Sequence, residues 1–232
     1  PILDPEFSSF VGMHPIPIRH GKTIGELAKL FQKEVFPRVR LHVLPMENWR
    51  SEAWFDETGL PWVFPSPNMP TLDTATVYPG MCLLEATNLS EGRGTTRPFE
   101  LFGAPWLDAR ALCRFLEEQE LPGVRFREAH FAPTFHKYGP GEPVIAGWAD
   151  PAFAEWRGAT CHGAQIVVTD RNAFLPYATA REILRHAFHA YPDQFRWRPA
   201  EAGYEYDFFH LGIDLLLGSS ATRIREIEGI PL

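Results

Sequence analysis

The sequence predicts an α/β or α+β fold, because helix-like and strand-like patterns alternate along the chain. Thr23 and Glu26 have the spacing of a capping box, and apolar residues follow at helical intervals, which predicts an amphipathic helix over residues 24–35. Apolar and polar side chains then alternate over residues 39–45, which predicts a strand beside that helix.

The second half of the chain continues this alternation. Asp108 has the character of an N-cap and predicts a helix through about residue 118. Residues 124–131 and 164–169 have strand-like patterns, and Thr179 and Glu182 predict a capped helix that ends near residue 191. The stretch 138–158, rich in Gly, Pro and Trp, is a predicted surface loop.

Between these halves lies a segment with two distinct parts. Residues 60–79 are rich in proline but also in aromatic side chains, which predicts an ordered loop rather than a flexible linker. Residues 81–86 are mostly apolar and short, which predicts a buried strand that ends near Glu85.

Charge and composition exclude several classes of protein. The formal net charge is −7, so a protein that coats the phosphate backbone of nucleic acid is not expected. The longest candidate for a membrane span, residues 211–217, is far too short and is interrupted by Gly212 and Asp214. Cys82, Cys113 and Cys161 form no C-x-x-C pair, which predicts no zinc site and leaves at most one disulfide possible.

Functional groups are densest over residues 85–100, and this run is the predicted site. It contains three carboxylates and two guanidiniums, with short hydroxyl and amide side chains and glycines between them, namely Glu85, Asn88, Ser90, Glu91, Gly92, Arg93, Gly94, Thr95, Arg97 and Glu100. Such groups suit a polyhydroxylated, anionic substrate, and the glycines allow close backbone approach. The alternative is a solvated turn whose charges pair with one another.

Other chemistries fit this sequence poorly. Residues 92–97 have Arg97 where a dinucleotide-binding turn needs its third glycine, and Pro98 follows instead of a helix. Residues 88–92 lack the first glycine of a nucleophile elbow. His186 and His189 lie three apart on a predicted helix, but their charged neighbours favour a solvated face over a metal site. We therefore predict neither a cofactor nor a metal.

The run Glu85-Ala-Thr-Asn-Leu-Ser-Glu-Gly-Arg-Gly-Thr-Thr-Arg-Pro-Phe-Glu, with Pro65-Ser-Pro-Asn-Met-Pro before it, resembles the NamZ family of exo-β-N-acetylmuramidases. Segments at 10–28 and 162–174 extend the resemblance over nearly the whole chain. It implies part of a Rossmann-like domain, residues 1–106, followed by a smaller α/β (α+β) domain, residues 107–232. It also implies a fragment that lacks the family's amino-terminal part and extreme carboxyl terminus.

The resemblance also implies an activity, the release of terminal N-acetylmuramic acid from peptidoglycan-derived glycans. Such a substrate suggests an extracytoplasmic protein, secreted or periplasmic. Two alternatives stay open: a non-catalytic module that binds peptidoglycan or muropeptides, and a different hydrolase or transferase that uses the same cleft.

The resemblance also implies individual roles, because in the family-like motif E-x-T-N-x-S-x-G-R-G-T the fixed acidic position falls on Glu85 and a variable position falls on Glu91. Glu85 is the preferred catalytic carboxylate and Glu91 the second candidate. An arginine would suit the lactyl carboxylate of muramic acid, because a guanidinium pairs with a carboxylate through two hydrogen bonds. The predicted substrate-binding residues are Arg93, Arg97, Asn68, Asn88, Ser90, Thr95 and, at the end of an extended segment, His20.

Overall fold

A computed structural model describes residues 2–133, 156 and 159–231. Within it the chain forms two compact units. The larger unit contains Pro1–Pro15 and Phe64–Leu232, and the smaller contains Ile16–Val63. The predicted loop at 138–158 lies outside the described residues, except for Trp156.

The smaller unit is built around one helix, α1, Ile24–Glu34. The predicted capping box is confirmed: the Thr23 side chain accepts from the Glu26 amide, and the Glu26 carboxylate accepts from the Thr23 amide. The strand predicted over residues 39–45 is wrong, since that segment has no strand structure. Alternation produces a strand only beside a neighbouring strand, and the described part of this unit offers none.

A three-stranded antiparallel sheet forms one layer of the larger unit, with strands β1, Leu101–Ala104, β2, Val124–Phe131, and β3, Cys161–Val168. The spatial order is β1-β3-β2, so β3 lies in the centre. Both strands predicted in the second half of the chain are therefore confirmed. Gly103 faces Gly163 across β1 and β3, where the backbones approach so closely that a Cβ at Gly103 would lie 2.4 Å from the His162 carbonyl oxygen.

Helices cover this sheet and complete the core. They are α2, Leu72–Met81, α3, Ala109–Glu118, α4, Pro176–Ala190, α5, Gly212–Leu217, and α6, Ser220–Arg223, which continues into a π-helical turn, Ile224–Glu228. Short 3₁₀ segments occur at Pro5–Phe7, Phe55–Thr58, Cys82–Ala86 and Ala200–Ala202. α3 packs on β2 and β3, and α2 packs on α4. One apolar cluster extends from Val77 to Ile227 and joins these layers.

The helix predicted after Asp108 is confirmed, with the Asp108 carboxylate accepting from the Ala111 amide at 2.9 Å. The predicted helix that ends near residue 191 is also present, but it begins three residues before Thr179, at Pro176. Proline suits the first helical turn because its missing donor has no partner there in any case. Glu182 is therefore inside α4, where it pairs with Arg181 and Arg185.

Two predictions for the middle of the chain are wrong. Residues 72–79 belong to α2 rather than to a loop. Thr71 caps the helix, and Pro79 lies inside it although proline has no amide hydrogen to donate to the preceding turn. The strand predicted over residues 81–86 is instead the end of α2 and a 3₁₀ segment. Its burial was predicted correctly, but a short apolar run does not distinguish strand from helix.

The fold is thus a mixture of helices and a small sheet, as predicted. The Rossmann-like character of the first domain and the division after residue 106 stay predictions. All three cysteines are free. No helix among the described residues has the length and apolar character needed to cross a membrane.

Candidate functional site

Glu85 reaches the site through a compact turn at the end of α2. The 3₁₀ segment Cys82–Ala86 buries Leu83, Leu84 and Ala86, and this packing fixes the backbone that carries Glu85. Beyond it the chain pairs with a distant segment: Thr87 forms a β-bridge with Trp197, and the Arg198 amide donates to the Ala86 carbonyl at 2.8 Å. Residues 196–198 therefore lie beside Glu85 although they are more than a hundred positions away.

The loop after Glu85, residues 89–100, is held to the sheet by backbone contacts. Ser90 and Gly103 exchange amide-to-carbonyl hydrogen bonds of 2.8 and 2.9 Å. Gly92 has a φ of +75°, and a Cβ there would lie 2.5 Å from the Leu101 carbonyl oxygen, so only glycine fits. Phe99, a bulky residue, also has a positive φ of +64° and donates its amide to the Glu91 carbonyl at 2.7 Å.

This loop brings Arg93 between two carboxylates. Its Nη2 donates to Glu85 Oε1 in a short hydrogen bond, and its Nε lies 3.4 Å from Glu91 Oε1. The Glu91 side chain is 2% exposed, whereas those of Glu85 and Arg93 keep 10% and 18% of their surface. The guanidinium also lies over the Phe99 ring, 5.2 Å from its centroid. Three of the predicted site residues are thus in direct contact.

Two residues that the sequence did not indicate complete the cluster. Tyr204 is buried, and its hydroxyl donates to Glu85 Oε2 at 3.1 Å. Arg198, also buried, places its guanidinium carbon 5.2 Å from the centre of the Tyr204 ring. Neither residue belongs to a local motif. The long-range pairing beside Ala86 places Arg198, and Tyr204 is also packed against Phe7 and Leu215.

The turn that carries Tyr204 is strained. Tyr204 and Asp207 exchange backbone hydrogen bonds, and the two residues between them, Glu205 and Tyr206, have φ values of +45° and +71°. Such a turn normally uses Asn and Gly. Strained backbone is concentrated at functional sites, so this turn is further reason to regard the cluster as functional.

Charge and burial shift several pKa values in this cluster. Burial works to lower the pKa of Arg93, but the Glu91 and Glu85 carboxylates outweigh it, so that pKa lies above its ordinary value. For Arg198 burial prevails and lowers the pKa to about 10, although Tyr204 and nearby glutamates oppose it. Burial and the Glu85 charge raise the pKa of Tyr204 well above its usual range, so its hydroxyl stays a donor.

The same causes act on Cys82, the first residue of the segment that carries Glu85. Burial, together with the Glu85 carboxylate, raises the pKa of the thiol to about 12. A thiol of this kind is a poor nucleophile at neutral pH, because the thiolate is the reactive form. Nucleophilic catalysis by Cys82 is therefore disfavoured.

The other predicted residues lie around the cluster in different roles. Arg97 donates to Glu100 at 2.9 Å, and Glu100 also accepts from Thr74 of α2, so this pair braces the loop. Both polar atoms of the Asn88 side-chain amide bond to backbone groups of Gln194 and Arg196, which ties the loop to the segment that follows α4.

Ser90, Thr95 and Asn68 take part in local turns. The Ser90 hydroxyl accepts from the Gly92 amide, and the Thr95 hydroxyl donates to the Gly92 carbonyl. The Asn68 backbone amide donates to the Ser66 hydroxyl. His20 belongs to the smaller unit, where its ring accepts from the Lys22 amide. That these residues bind substrate stays a prediction.

Comparison with known proteins agrees with this picture. Residues 1–73 match the family model of the amino-terminal part of exo-beta-N-acetylmuramidase NamZ, and residues 76–229 match that of its carboxyl-terminal part. The chain belongs to the NamZ family. It is 46% identical over 197 residues to the peptidoglycan beta-N-acetylmuramidase NamZ of Bacillus subtilis (strain 168), which covers 85% of this chain and 43% of that protein.

Two solved structures share the fold. Both are DUF1343 family proteins of Bacteroides fragilis NCTC 9343. The first has a TM-score of 0.75 and 28% identity, covering 97% of this chain and 53% of that one. The second has a TM-score of 0.58 and 25% identity, covering 100% and 54%. The chain thus spans about half the length of the relatives that it matches.

The side chains around Glu85 determine which chemistry the cluster can perform. Arg93 and Tyr204 both donate to Glu85, and donors of this kind stabilise a carboxylate in its ionised form. Among the described residues, no group of three or more His, Cys, Asp or Glu side chains converges as metal ligands would. The cluster therefore offers a positioned carboxylate, a phenol and two guanidiniums for acid–base chemistry and anion binding.

Proposed function

We propose that this chain carries the site of an exo-β-N-acetylmuramidase, a glycoside hydrolase that releases terminal N-acetylmuramic acid from the non-reducing end of peptidoglycan fragments. The observation that carries the proposal is the Glu85 carboxylate, held by Arg93 and Tyr204. The membership in the NamZ family supports it, since the Bacillus subtilis relative is named a peptidoglycan beta-N-acetylmuramidase.

Glu85 is the proposed catalytic carboxylate. Hydrolysis of a glycoside ordinarily uses an acid that protonates the leaving oxygen and a second carboxylate that acts as base or nucleophile. Glu85 keeps some exposed surface, whereas Glu91 is almost fully enclosed against Arg93. Glu91 therefore serves better as the counter-charge that fixes Arg93 than as a group that touches the substrate.

The proposed substrate class is a peptidoglycan-derived glycan, and this class suggests the compartment. The peptidoglycan layer lies outside the cytoplasmic membrane, so an extracytoplasmic location follows if the substrate is correct. Fractionation of cells that produce the natural protein would test it, and recovery only with cytosolic markers would contradict it.

A second candidate is a peptidoglycan-binding module without catalysis. One observation favours it: both Glu85 oxygens already accept hydrogen bonds, so the carboxylate is stabilised where it lies and has less tendency to exchange protons with a ligand. Such a module would bind N-acetylmuramic acid through the same charged groups and release nothing.

Glu85→Gln separates these candidates. We expect a full-length version of the protein to release the chromophore from an aryl β-N-acetylmuraminide, and its Glu85→Gln variant to have a kcat at least about a hundredfold lower, since acid–base roles contribute that much. Glu128→Gln, at an exposed position on β2, is the matched control and should keep the wild-type rate.

The outcomes are distinct. An unchanged kcat for Glu85→Gln would remove Glu85 from catalysis. Binding of N-acetylmuramic acid in calorimetry without chromophore release from the wild-type chain would favour the binding module. If the protein neither binds N-acetylmuramic acid nor releases the chromophore, both candidates are contradicted.

A further inference from the structure

One face of α2 is directed at the loop over residues 89–100. Thr74 donates to Glu100 of that loop at 2.9 Å. Tyr78, one helical turn later, packs edge-on against Phe99, with the two ring centroids 4.8 Å apart. Residues four apart lie on the same side of a helix. Both side chains of α2 therefore contact the loop that completes the candidate site.

Two connections place the Tyr78 side chain beside Glu85. The Phe99 ring that Tyr78 contacts also carries the Arg93 guanidinium, 5.2 Å from the ring centroid, and Arg93 bonds to Glu85. In addition, the Cys82 amide donates to the Tyr78 carbonyl, and Cys82 begins the 3₁₀ segment that carries Glu85. The phenol of Tyr78 therefore lies at the edge of the cluster around Glu85.

Tyr78 differs from the buried tyrosine of the cluster in its exposure and in its bonding. Tyr204 is 5% exposed and donates to Glu85, whereas Tyr78 is 37% exposed. Within the part of the chain that the structure describes, the Tyr78 ring contacts Phe99, but its hydroxyl has no hydrogen-bond partner. A phenol hydroxyl at the edge of a polar site, without a bond to the protein, is available to a ligand.

The surroundings of Tyr78 keep this hydroxyl neutral. Burial raises the pKa of Tyr78 to about 12, so the group acts as a hydrogen-bond donor in the neutral range. Of the charges beside it, the Glu85 carboxylate acts more strongly on the phenol than the Arg93 guanidinium does. A second anion at this position would be repelled by that carboxylate, so the hydroxyl suits an uncharged oxygen of a sugar.

We propose that Tyr78 contacts the substrate, with its hydroxyl donating a hydrogen bond to an uncharged oxygen of the sugar that binds at Glu85. The inference rests on the proposed function and adds a residue that binds the sugar. The hydroxyl and acetamido oxygens of the sugar are present both in the bound substrate and in the transition state. A contact with one of them stabilises both states alike, so it acts on KM rather than on kcat.

Tyr78→Phe tests the contact, because it removes the hydroxyl and keeps the ring on Phe99. In a full-length version of the protein, we expect KM for an aryl β-N-acetylmuraminide and Kd for N-acetylmuramic acid to rise about three- to tenfold, the scale of a neutral hydrogen bond. The value of kcat and the urea midpoint should stay close to those of wild type. Tyr177→Phe, which removes a hydroxyl that bonds to Glu226, is the matched control and should keep both KM and Kd.

The lactyl methyl ester of N-acetylmuramic acid identifies the oxygen that Tyr78 contacts. Tyr78→Phe should weaken the binding of acid and ester by the same factor, and a loss confined to the acid would assign the hydroxyl to the carboxylate and overturn the inference. A crystal structure of the wild-type protein with N-acetylmuramic acid makes the same decision directly. A neutral sugar oxygen within about 3 Å of the hydroxyl supports the contact, and the carboxylate at that distance overturns it.

The remaining outcomes also decide. Unchanged KM and Kd for Tyr78→Phe would overturn the contact and leave the proposed function intact. A weaker binding that comes with a lower urea midpoint would show that the hydroxyl serves the fold, and would overturn the contact as well. If the wild-type protein neither binds the sugar nor releases the chromophore, the proposed function fails together with this inference.

Discussion

At the scale of single residues, the contact between Tyr204 and Glu85 matters most for the chemistry of the site. The phenol is buried and raised in pKa, so it donates to the carboxylate throughout the neutral range. It also lies between Glu85 and the Arg198 guanidinium. This side chain therefore orients the catalytic candidate, which makes Tyr204 a positioning residue.

Tyr204→Phe removes the hydroxyl and keeps the ring. Because the hydroxyl stabilises the ionised form of Glu85, its loss makes Glu85 take up a proton at higher pH. We expect kcat to fall about tenfold. In the profile of kcat against pH, the limb that reports the titration of Glu85 should move to higher pH. Tyr206→Phe, two positions away and 83% exposed, is the control. An unmoved pH profile for Tyr204→Phe would show that the hydroxyl has no influence on the reacting group.

At the scale of elements, the loop over residues 89–100 depends on its attachment to β1. Ser90 pairs with Gly103 on β1. The backbone packs closely against Leu101 at Gly92, and the side chains on either side of this glycine, Glu91 and Arg93, contact each other. The loop is polar in sequence but has buried carboxylates at Glu91 and Glu100. Paired burial of this kind distinguishes it from an ordinary solvated turn.

Gly92→Ala should break this attachment. The new Cβ would meet the Leu101 carbonyl oxygen at 2.5 Å in a backbone conformation that favours glycine, so we expect a loss of about 2 kcal/mol or more in the free energy of unfolding. Urea titration measures it. Gly12→Ala is the matched control, because no atom lies within 4 Å of its Cβ position and the change should be small. Equal effects of the two substitutions would show that the Gly92 geometry is not required.

At the scale of the whole molecule, the larger unit contains three cysteines whose surroundings disfavour the charged thiolate form. Burial is the first cause in each case and raises the pKa to about 12 for Cys82, about 11 for Cys113 and about 12 for Cys161. In the unfolded chain these thiols ionise near their ordinary pKa. Folding therefore favours the neutral thiols, and this contribution is complete below about pH 9.

The free energy of unfolding should consequently fall as the pH rises from about 9 towards 11 or 12, with each thiol adding at most about 1.4 kcal/mol per pH unit. Urea midpoints at pH 8, 9 and 10 measure the slope. Cys161→Ala should make the slope shallower. Val124→Ala, which removes a buried side chain that does not titrate, should lower stability and leave the slope unchanged. A slope that Cys161→Ala does not alter would contradict the assignment.

The sequence by itself determined the elements whose signals are local. The caps at Thr23 and Asp108 work within one helical turn. The strand-like patterns of β2 and β3 predicted strands, which pair with each other in the sheet. It also identified the polar run that contains Glu85, because that run is continuous in the chain.

Tertiary structure decided what depends on distant partners. The segment at residues 39–45 has strand alternation but no neighbouring strand, and residues 72–81 are helical because their buried face packs on α4. Arg198 reaches Glu85 through the backbone pairing beside Ala86, and Tyr204 through that pairing and its packing on Phe7 and Leu215. Local propensity does not predict such long-range contacts, because they form only when packing brings together segments that lie more than a hundred residues apart.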